Sequence, residues 1–461
     1  MIFLFNNYLI DSWQKGILYV ITIMVIILLN YMAKKKIKFS YRVLTSLVIG
    51  IIVGILLGQV KTDIDGESTT IMATIRPIGQ LYLRLIQMVV MPLVLTSIIR
   101  SFTNLDDTNI LKRIGVKTLF WLLFTTALAT IIGFMFAFIP GLGKGFVELT
   151  TPGEPRIQSI ESVILNFFPN NIFSALTGNV AIPVVVFGIF VAVAIIVESR
   201  RHPERVKPFL DFNNSFNDII IRITKFILRL TPYAVFSFIT YAIGRNDLNM
   251  LKQLAIYILL IHGAMLFHFV FVQMGLLLLN GVSPIKFLKN FWPTMVVGFT
   301  TQSSYGTMPV NIKTLEDRVG VSPKIANFVA PIGANVGMNA CGGIFPAMVA
   351  VITVNSMGHS FSLVQAIILV ITTTIASIGI AGVPGIATIA AAVTLSALGL
   401  PIEGIALVAA VDPLVDMART MINVTGVGVS ATLVAKSENE LDLELFNKPK
   451  ERAFETGEVH E

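Results

Sequence analysis

Long apolar runs, parted by short charged or Gly- and Pro-rich segments, set the pattern of the chain. Gly16–Ala33, Val43–Val60, Ile75–Phe102, Val116–Ile139, Phe216–Ile243 and Leu254–Leu279 each approach or exceed the roughly 20 residues a helix needs to cross a bilayer. Ile164–Val197 is equally apolar but carries Pro169, Asn170, Asn171, Gly178 and Pro183, which predicts a helix in pieces. The polar connections alternate in charge. Lys34, Lys35, Lys36, Lys38 and Arg42, then Lys112 and Arg113, then ESRRHPERVK (198–207), then Lys286 and Lys289 fall on one side. Asp63, Asp65 and Glu67, the stretch Pro140–Ser162, and Arg245 with Asp247 fall on the other. Basic loops stay cytoplasmic, which puts the polar tail 437–461 inside. Gly16–Ala33 lacks a basic start and a small-x-small cleavage site, so it reads as a retained helix rather than a signal peptide.

The C-terminal third changes character. Thr294–Pro309 reads TMVVGFTTQSSYGTMP, an apolar stretch too short to span followed by a polar tip, which predicts a re-entrant helical hairpin entered from inside. Ile325–Val354 is a span broken by GANVGMNACGG (333–343), where Gly and Asn predict unwinding and free carbonyls. Leu363–Leu400 contains SIGIAGVPG (377–385) and reads as a second hairpin, entered from outside. Hairpin followed by span thus occurs twice with opposite entry. That is an inverted repeat, with interrupted segments meeting near the membrane midplane.

The last span carries VDPLVDMARTMINVTGV (411–427). Asp412, Asp416, Arg419, Thr420, Asn423 and Val427 recur at helical spacing on one stripe. Each buried charge costs roughly 2.5–3.5 kcal/mol on insertion scales, so the stripe must meet water, a ligand or itself. An internal ion pair is the plain alternative, but three charges with Asn and Thr exceed what one pair needs.

Composition narrows the class. The chain is 54% hydrophobic and 13% charged, with mean hydropathy +0.79, which is a polytopic membrane protein. The net charge of +7 lies in the basic loops and implies no nucleic-acid partner. A single cysteine, Cys341, excludes an internal disulfide. No Walker A, HExxH or CxxC motif is present, so transport against a gradient needs an ion gradient rather than ATP, and no enzymatic chemistry is expected.

Together the pieces offer a site for a small zwitterion. Hairpin tips at Ser303–Ser304 and Gly382–Gly385 supply N–H groups and hydroxyls for a carboxylate. Asp416 accepts from an ammonium, Arg419 grips a second carboxylate, and Thr420 and Asn423 add neutral hydrogen bonds. Open carbonyls around Gly333–Asn339 and Ser377–Ile380 suit a small hard cation. Cys341 either packs or lines the pocket. His262 and His268 lie within a span, as proton relays or as structural hydrogen-bonding groups. An intramembrane aspartyl protease also buries two Asp residues, but the nearby guanidinium favours both carboxylates ionised, whereas a catalytic dyad shares a proton. An uncoupled channel is a further rival, against which the paired hairpins argue for alternating access.

SSYGTMP (303–309), AGVPG (381–385) and DMARTMINVTG (416–426) resemble the dicarboxylate/amino acid:cation symporter family, the glutamate-transporter-like proteins, over about Lys38 to Lys436. The resemblance implies an all-α polytopic inverted-repeat fold with eight core spans, two re-entrant hairpins and here one extra N-terminal helix. It implies an elevator-type homotrimer in the cell membrane. On that pattern, 1–42 is the extra helix with its basic anchor, 43–290 is mainly scaffold and trimerisation surface, 291–436 is the transport core, and 437–461 is a cytoplasmic tail. It also implies that Ser303, Ser304, Cys341, Ala381, Gly382, Asp416, Arg419, Thr420 and Asn423 bind substrate. Gly333, Asn335, Met338, Ser377, Ile378, Ile380, Asp412 and Asn423 are the implied cation ligands, with no other metal and no cofactor.

The departures are specific. Where the family has Asn-Met-Asp-Gly-Thr, this chain has Gly337, Met338, Asn339, Ala340 and Cys341, and where sodium-coupled relatives end the stripe in Asp it has Val427. Two anionic cation ligands are missing, and a site without them desolvates a cation at greater cost. Fewer sodium ions than in glutamate transporters, or protons, are expected, with the site of Ser377–Ile380 carbonyls, Asn335 and Met338 retained. The altered motif with retained arginine looks most like the bacterial L-cystine symporters, with aspartate, glutamate or another small amino acid as the alternative cargo.

Overall fold

A computed structural model describes residues 13–448 except 38, 58–59, 65–66, 104–108, 145–164, 166–167, 179–180, 245–247, 379–381, 383–384 and 410. Helices follow one another as α1 (Trp13–Lys34), α2 (Phe39–Leu57), α3 (Arg76–Thr103), α4 (Asn109–Phe138), α5 (Ile172–Thr177), α6 (Ala181–Ser199), α7 (Pro203–Leu228) and α8 (Thr231–Gly244). Then come α9 (Leu248–Phe267), a π-helical turn at His268–Met274, and α10 (Gly275–Leu279). The last third holds α11 (Pro284–Thr301), α12 (Ser304–Thr314), α13 (Pro323–Gly333), a π-helical turn at Asn339–Ile344, α14 (Phe345–Ser356), α15 (Leu363–Ala376), α16 (Ala387–Ala397), α17 (Ala406–Ala409), α18 (Asp412–Ser437) and α19 (Leu443–Asn447). The protein is an all-α membrane protein. Among the described residues, five helical stretches are long and apolar enough to cross a membrane.

Two of the sequence expectations are corrected. The loop carrying Asp63, Asp65 and Glu67 contains a two-stranded antiparallel ribbon, β1 (Lys61–Ile64) with β2 (Glu67–Thr70). Thr-rich alternating segments of four residues are too short to register against the helical pattern around them. Phe216–Ile243 is not one span: α7 ends at Leu228 and α8 starts at Thr231. Pro232 explains the break, since its ring and missing N–H favour the first turn of a new helix over the middle of an old one.

Local chemistry shapes the hairpins. In the first, α11 opens with Ser283 accepting from the N–H of Lys286 and Pro284 behind it, and closes on Gln302 in the left-handed region. Ser303 then caps α12, its Oγ accepting from the Gly306 N–H at 3.0 Å. The chain therefore reverses within Gln302–Ser303. The second hairpin opens with a capping box, Ser362 and Gln365 each satisfying the other's backbone N–H. Between the hairpins, α13 ends at Gly333, and the chain unwinds to the turn at 339. Gly337 has φ of +69°, and a Cβ there would lie 2.6 Å from that of Leu122 on α4, so only glycine fits.

Packing separates the helices into two groups. In one, α2, α3, α7 and α8 lie against one another. Gly50 and Gly54 let α2 approach α8 closely enough that an added Cβ at Gly54 would sit 2.7 Å from Ile243 Cβ, the small-residue packing of membrane helices. In the other, α4, α9, α14, α15, α16 and α18 enclose the turn at Asn339–Ile344, and α11–α13 pack on α18 or on one another. Every residue of α14 is buried, whereas α1 leaves Val20, Ile23, Met24 and Ile27 exposed. An apolar exposed face on a helix of that length is a lipid face.

Candidate functional site

The site is built where α18 meets the two hairpin tips and the turn at Asn339. Asp412, Asp416, Arg419, Thr420 and Asn423 are all buried on one side of α18, as their spacing predicts. Arg419 is fully buried. Its Nη2 donates to Asp416 Oδ1 at 3.1 Å and lies 2.6 Å from Asp412 Oδ1, the latter without hydrogen-bond alignment. The guanidinium rests over the Phe345 ring, 4.3 Å from its centroid. Asp416 Oδ2 accepts from the Gly385 N–H of the second hairpin at 3.3 Å. Gly385 has φ of +78°, a backbone that aims its N–H inward and that side-chain-bearing residues rarely adopt.

Asn423 ties α18 to the unwound segment. Its Oδ1 accepts from the N–H of Ala340 at 2.8 Å and of Cys341 at 3.3 Å, capping the turn that starts there. Cys341 is buried, with Sγ 4.0 Å from Asp416 Oδ1. Among the described residues, three donors in this cluster have no protein partner: Arg419 Nε, Arg419 Nη1 and Asn423 Nδ2. A buried unpaired donor costs about 1–3 kcal/mol, more when charged. Three within one helical turn form a vacant acceptor position of the kind a carboxylate fills.

The hairpin tips meet over this cluster. Ser303 Oγ and the Tyr305 N–H both donate to the Gly382 carbonyl at 3.0 Å, and Ser304 is buried beneath. The space left beside Asp412 and Asp416 is a cavity of about 10 Å³, bounded by Gln302, Gly385, Thr388 and the Tyr82–Thr231 hydroxyl pair. That volume holds a water and nothing larger. A guest of amino-acid size requires the tips to part.

The expected cation ligands fall in two places. Gly333, Asn335 and Met338 run alongside Ser377 and Ile378, joined by a bridge between Val336 and Ile378 and by the Gly337 N–H donating to the Ser377 carbonyl at 3.2 Å. Asn335 Oδ1 is already taken by the Tyr305 hydroxyl. Asp412 sits with Arg419 instead. Val427 packs on Gly333, where an added Cβ would meet its Cγ2 at 2.5 Å, so a methyl group occupies the space next to that backbone. Ile380 and Ala381 lie outside the described residues. Phe345 and the Tyr82–Thr231 pair had no signal in sequence, and Tyr305, though inside SSYGTMP, had no role assigned until the fold set its hydroxyl on Asn335.

The profile of the Sodium:dicarboxylate symporter family matches residues 39–437. The L-cystine uptake protein TcyP of Bacillus thuringiensis (strain Al Hakam) is 35% identical over 463 aligned positions, covering 96% of this chain and 98% of that protein. TcyP of Shouchella clausii (strain KSM-K16) is 35% identical over 92% of this chain and 94% of its own length. TcyP of Bacillus licheniformis is 35% identical over 91% of this chain and 94% of its own length.

Proposed function

The chain belongs to the sodium:dicarboxylate symporter family, cation-coupled membrane transporters rather than enzymes, and we propose that it imports L-cystine across the plasma membrane. The observation that carries this reading is the charge pattern at α18: an acceptor for an ammonium, Asp416, with three unpaired donors one and two turns further on, at Arg419 and Asn423. A free amino acid with a second anionic end satisfies both. The names of the relatives favour cystine. Cystine also carries a carboxylate at each end, one for Arg419 and one for the N–H groups at the hairpin tips.

Charge counting extends the proposal to the cation. Asp412, Asp416 and Arg419 sum to −1, and cystine near neutral pH is a zwitterion of zero net charge. A buried carrier crosses a low-dielectric barrier at least cost when neutral, which calls for one monovalent cation. A dicarboxylic amino acid would bring a further negative charge and call for two. We therefore assign one coupling cation per cystine, either a proton or a sodium ion held by carbonyls of Gly333, Met338, Ser377 and Ile378 with Asn335. In this reading 291–436 moves as the transport core against a trimeric scaffold formed mainly by 43–290. The tail is cytoplasmic, and the tips open to admit substrate.

The test is uptake into proteoliposomes. Counterflow of labelled cystine, with reversal potentials set by varying the cystine gradient at fixed ion gradients, is expected to report one charge per cystine. Counterflow of aspartate or glutamate without cystine would overturn the substrate assignment, and a steep multi-ion sodium dependence would overturn the count.

A further inference from the structure

Behind the substrate helix lies a polar cluster that the binding site does not use. His268, Gln273 and Asn339 are fully buried, the first two on the π-helical turn after α9 and the third at the start of the turn after α13. His268 Nε2 lies 3.1 Å from the Thr125 carbonyl O on α4 and 3.3 Å from Asn339 Nδ2. A carbonyl only accepts, so this ring nitrogen carries the hydrogen in the neutral ring, and Nδ1 is then a bare lone pair. Among the described residues, Nδ1, Gln273 Oε1 and Asn339 Oδ1 have no hydrogen-bond partner. Gln273 spends its Nε2 on the Ile422 carbonyl at 2.9 Å. With the hydrogen on Nε2, Asn339 Nδ2 meets a second donor rather than an acceptor, so the unpaired set is three acceptors and one amide N–H, and a proton on Nδ1 makes the ring a donor at both nitrogens. There is no carboxylate in the cluster to hold a metal cation, and a Cβ added at Gly426 would already be 2.4 Å from Asn339 Oδ1.

The cluster is joined to the substrate site through short contacts. Asn339 opens the turn whose next two N–H groups, from Ala340 and Cys341, are accepted by Asn423 Oδ1. Asn423 in turn lies one helical turn from Arg419 on the same face of α18. We infer that His268 is the coupling site of the symporter: it takes up a proton on Nδ1 as cystine binds, and the added charge acts on the substrate site across the packed turn that Asn423 caps. The inference rests on the proposed cystine transport and assigns its single cation as a proton. The added charge brings the loaded carrier from −1 to zero. Ionisable groups on the packed elements are Lys252, Tyr257 and His262 on α9, Arg113 and Lys117 at the far end of α4, Cys341 after Asn339, and Asp412, Asp416, Arg419 and Lys436 on α18. None of these is hydrogen-bonded to His268, and His262 turns its Nδ1 to the Ile258 carbonyl of its own helix.

The experiment uses the full-length protein in proteoliposomes with a pH-sensitive dye inside, without sodium. Wild type is expected to carry protons inward with cystine, and its apparent cystine affinity is expected to fall by up to about tenfold per pH unit as pH rises past the ring's titration. His268→Gln keeps a polar side chain of similar reach without the titration. It is expected to retain cystine–cystine exchange, to lose cystine-driven proton entry, and to flatten the pH profile. Proton entry and pH dependence unchanged in His268→Gln would overturn the inference, as would wild-type cystine uptake that moves no protons. Should His268→Gln lose exchange as well, calorimetry of cystine binding to wild type in two buffers of different ionisation enthalpy decides: linked proton uptake between pH 6 and 8 supports the site, and none refutes it. Failure of wild-type exchange itself would instead refute the transport assignment.

Discussion

The strongest demand of the site is that Arg419 and Asp412 need each other even without substrate. Arg419 is 0% exposed, the Asp412 side chain is 9% exposed, and the two approach to 2.6 Å with Asp416 sharing the same Nη2 at 3.1 Å. Arg419→Met keeps an unbranched side chain of similar reach and leaves two buried carboxylates with no counter-charge. Removing one partner of such a pair costs about 3–5 kcal/mol, and the lost cation–π contact with Phe345 adds about 1–2 kcal/mol. Asp412→Asn alone costs less, because Asp416 still balances the guanidinium. The double variant Arg419→Met with Asp412→Asn restores the net charge of −1. A coupling of about 1–3 kcal/mol is expected, so the double variant is more stable than Arg419→Met alone.

Thermal unfolding of the detergent-purified protein, followed by size-exclusion fluorescence, measures the order of the four proteins. Cystine exchange is expected to stay lost in both arginine variants, since the carboxylate grip is gone and its loss exceeds about 100-fold in affinity. Recovery of stability without recovery of exchange is the expected signature. Strictly additive losses would refute the pairing, and exchange in Arg419→Met would refute the grip.

Three further outcomes are expected. Val427→Asp places a carboxylate beside Gly333, the position of the missing anionic ligand; it is expected to lower the melting temperature in choline chloride and to recover it in sodium chloride, where wild type shows a smaller sodium response. Gly382→Ala forces a Cβ to within 2.7 Å of the Ala334 carbonyl and of Ser304 Cβ, so the tips close less well; maleimide labelling of Cys341, the sole cysteine, is expected to quicken several-fold and to be slowed again by cystine. Glu438 at the end of α18 is held below the ordinary carboxylate range by Lys117 and then Arg113, against the opposing effect of desolvation. A lowered folded value means stability present above the unfolded value of about 4.3 and lost as pH falls through the folded one. Glu438→Gln is therefore expected to cost up to about 1 kcal/mol at pH 7 and to match wild type once the pH is below both values.

Much of this was legible in the sequence because a bilayer makes polarity costly. The stripe on α18, the two hairpins and the unwound stretch each stand out as polar or Gly-rich residues inside apolar runs, and each is where the fold has it. The register of the stripe follows from helical spacing alone. What stayed hidden depends on contacts between segments far apart in the chain. Nothing near Phe345 says that a guanidinium will lie on it. Asp412 reads as a ligand for a cation until the fold sets it against Arg419. The break between α7 and α8 was signalled by Arg229, Thr231 and Pro232 but lies inside a run apolar and long enough to read as one span, and β1–β2 is hidden by brevity.

Against the family pattern, Asn339 and Val427 stand where it has carboxylates, Gly337 where it has an amide, and Cys341 where it has a hydroxyl. Val427 fills the space against Gly333. Asn339 turns a neutral amide toward His268. With both carboxylates gone, the ionised groups left around the substrate position are Asp412, Asp416 and Arg419, which already satisfy one another in part. The energetic task of the coupling ion is then only to offset a single negative charge, and it can be met from outside the substrate pocket. The proton proposed at His268, in a buried amide cluster, would meet it without either of the anionic ligands that were lost.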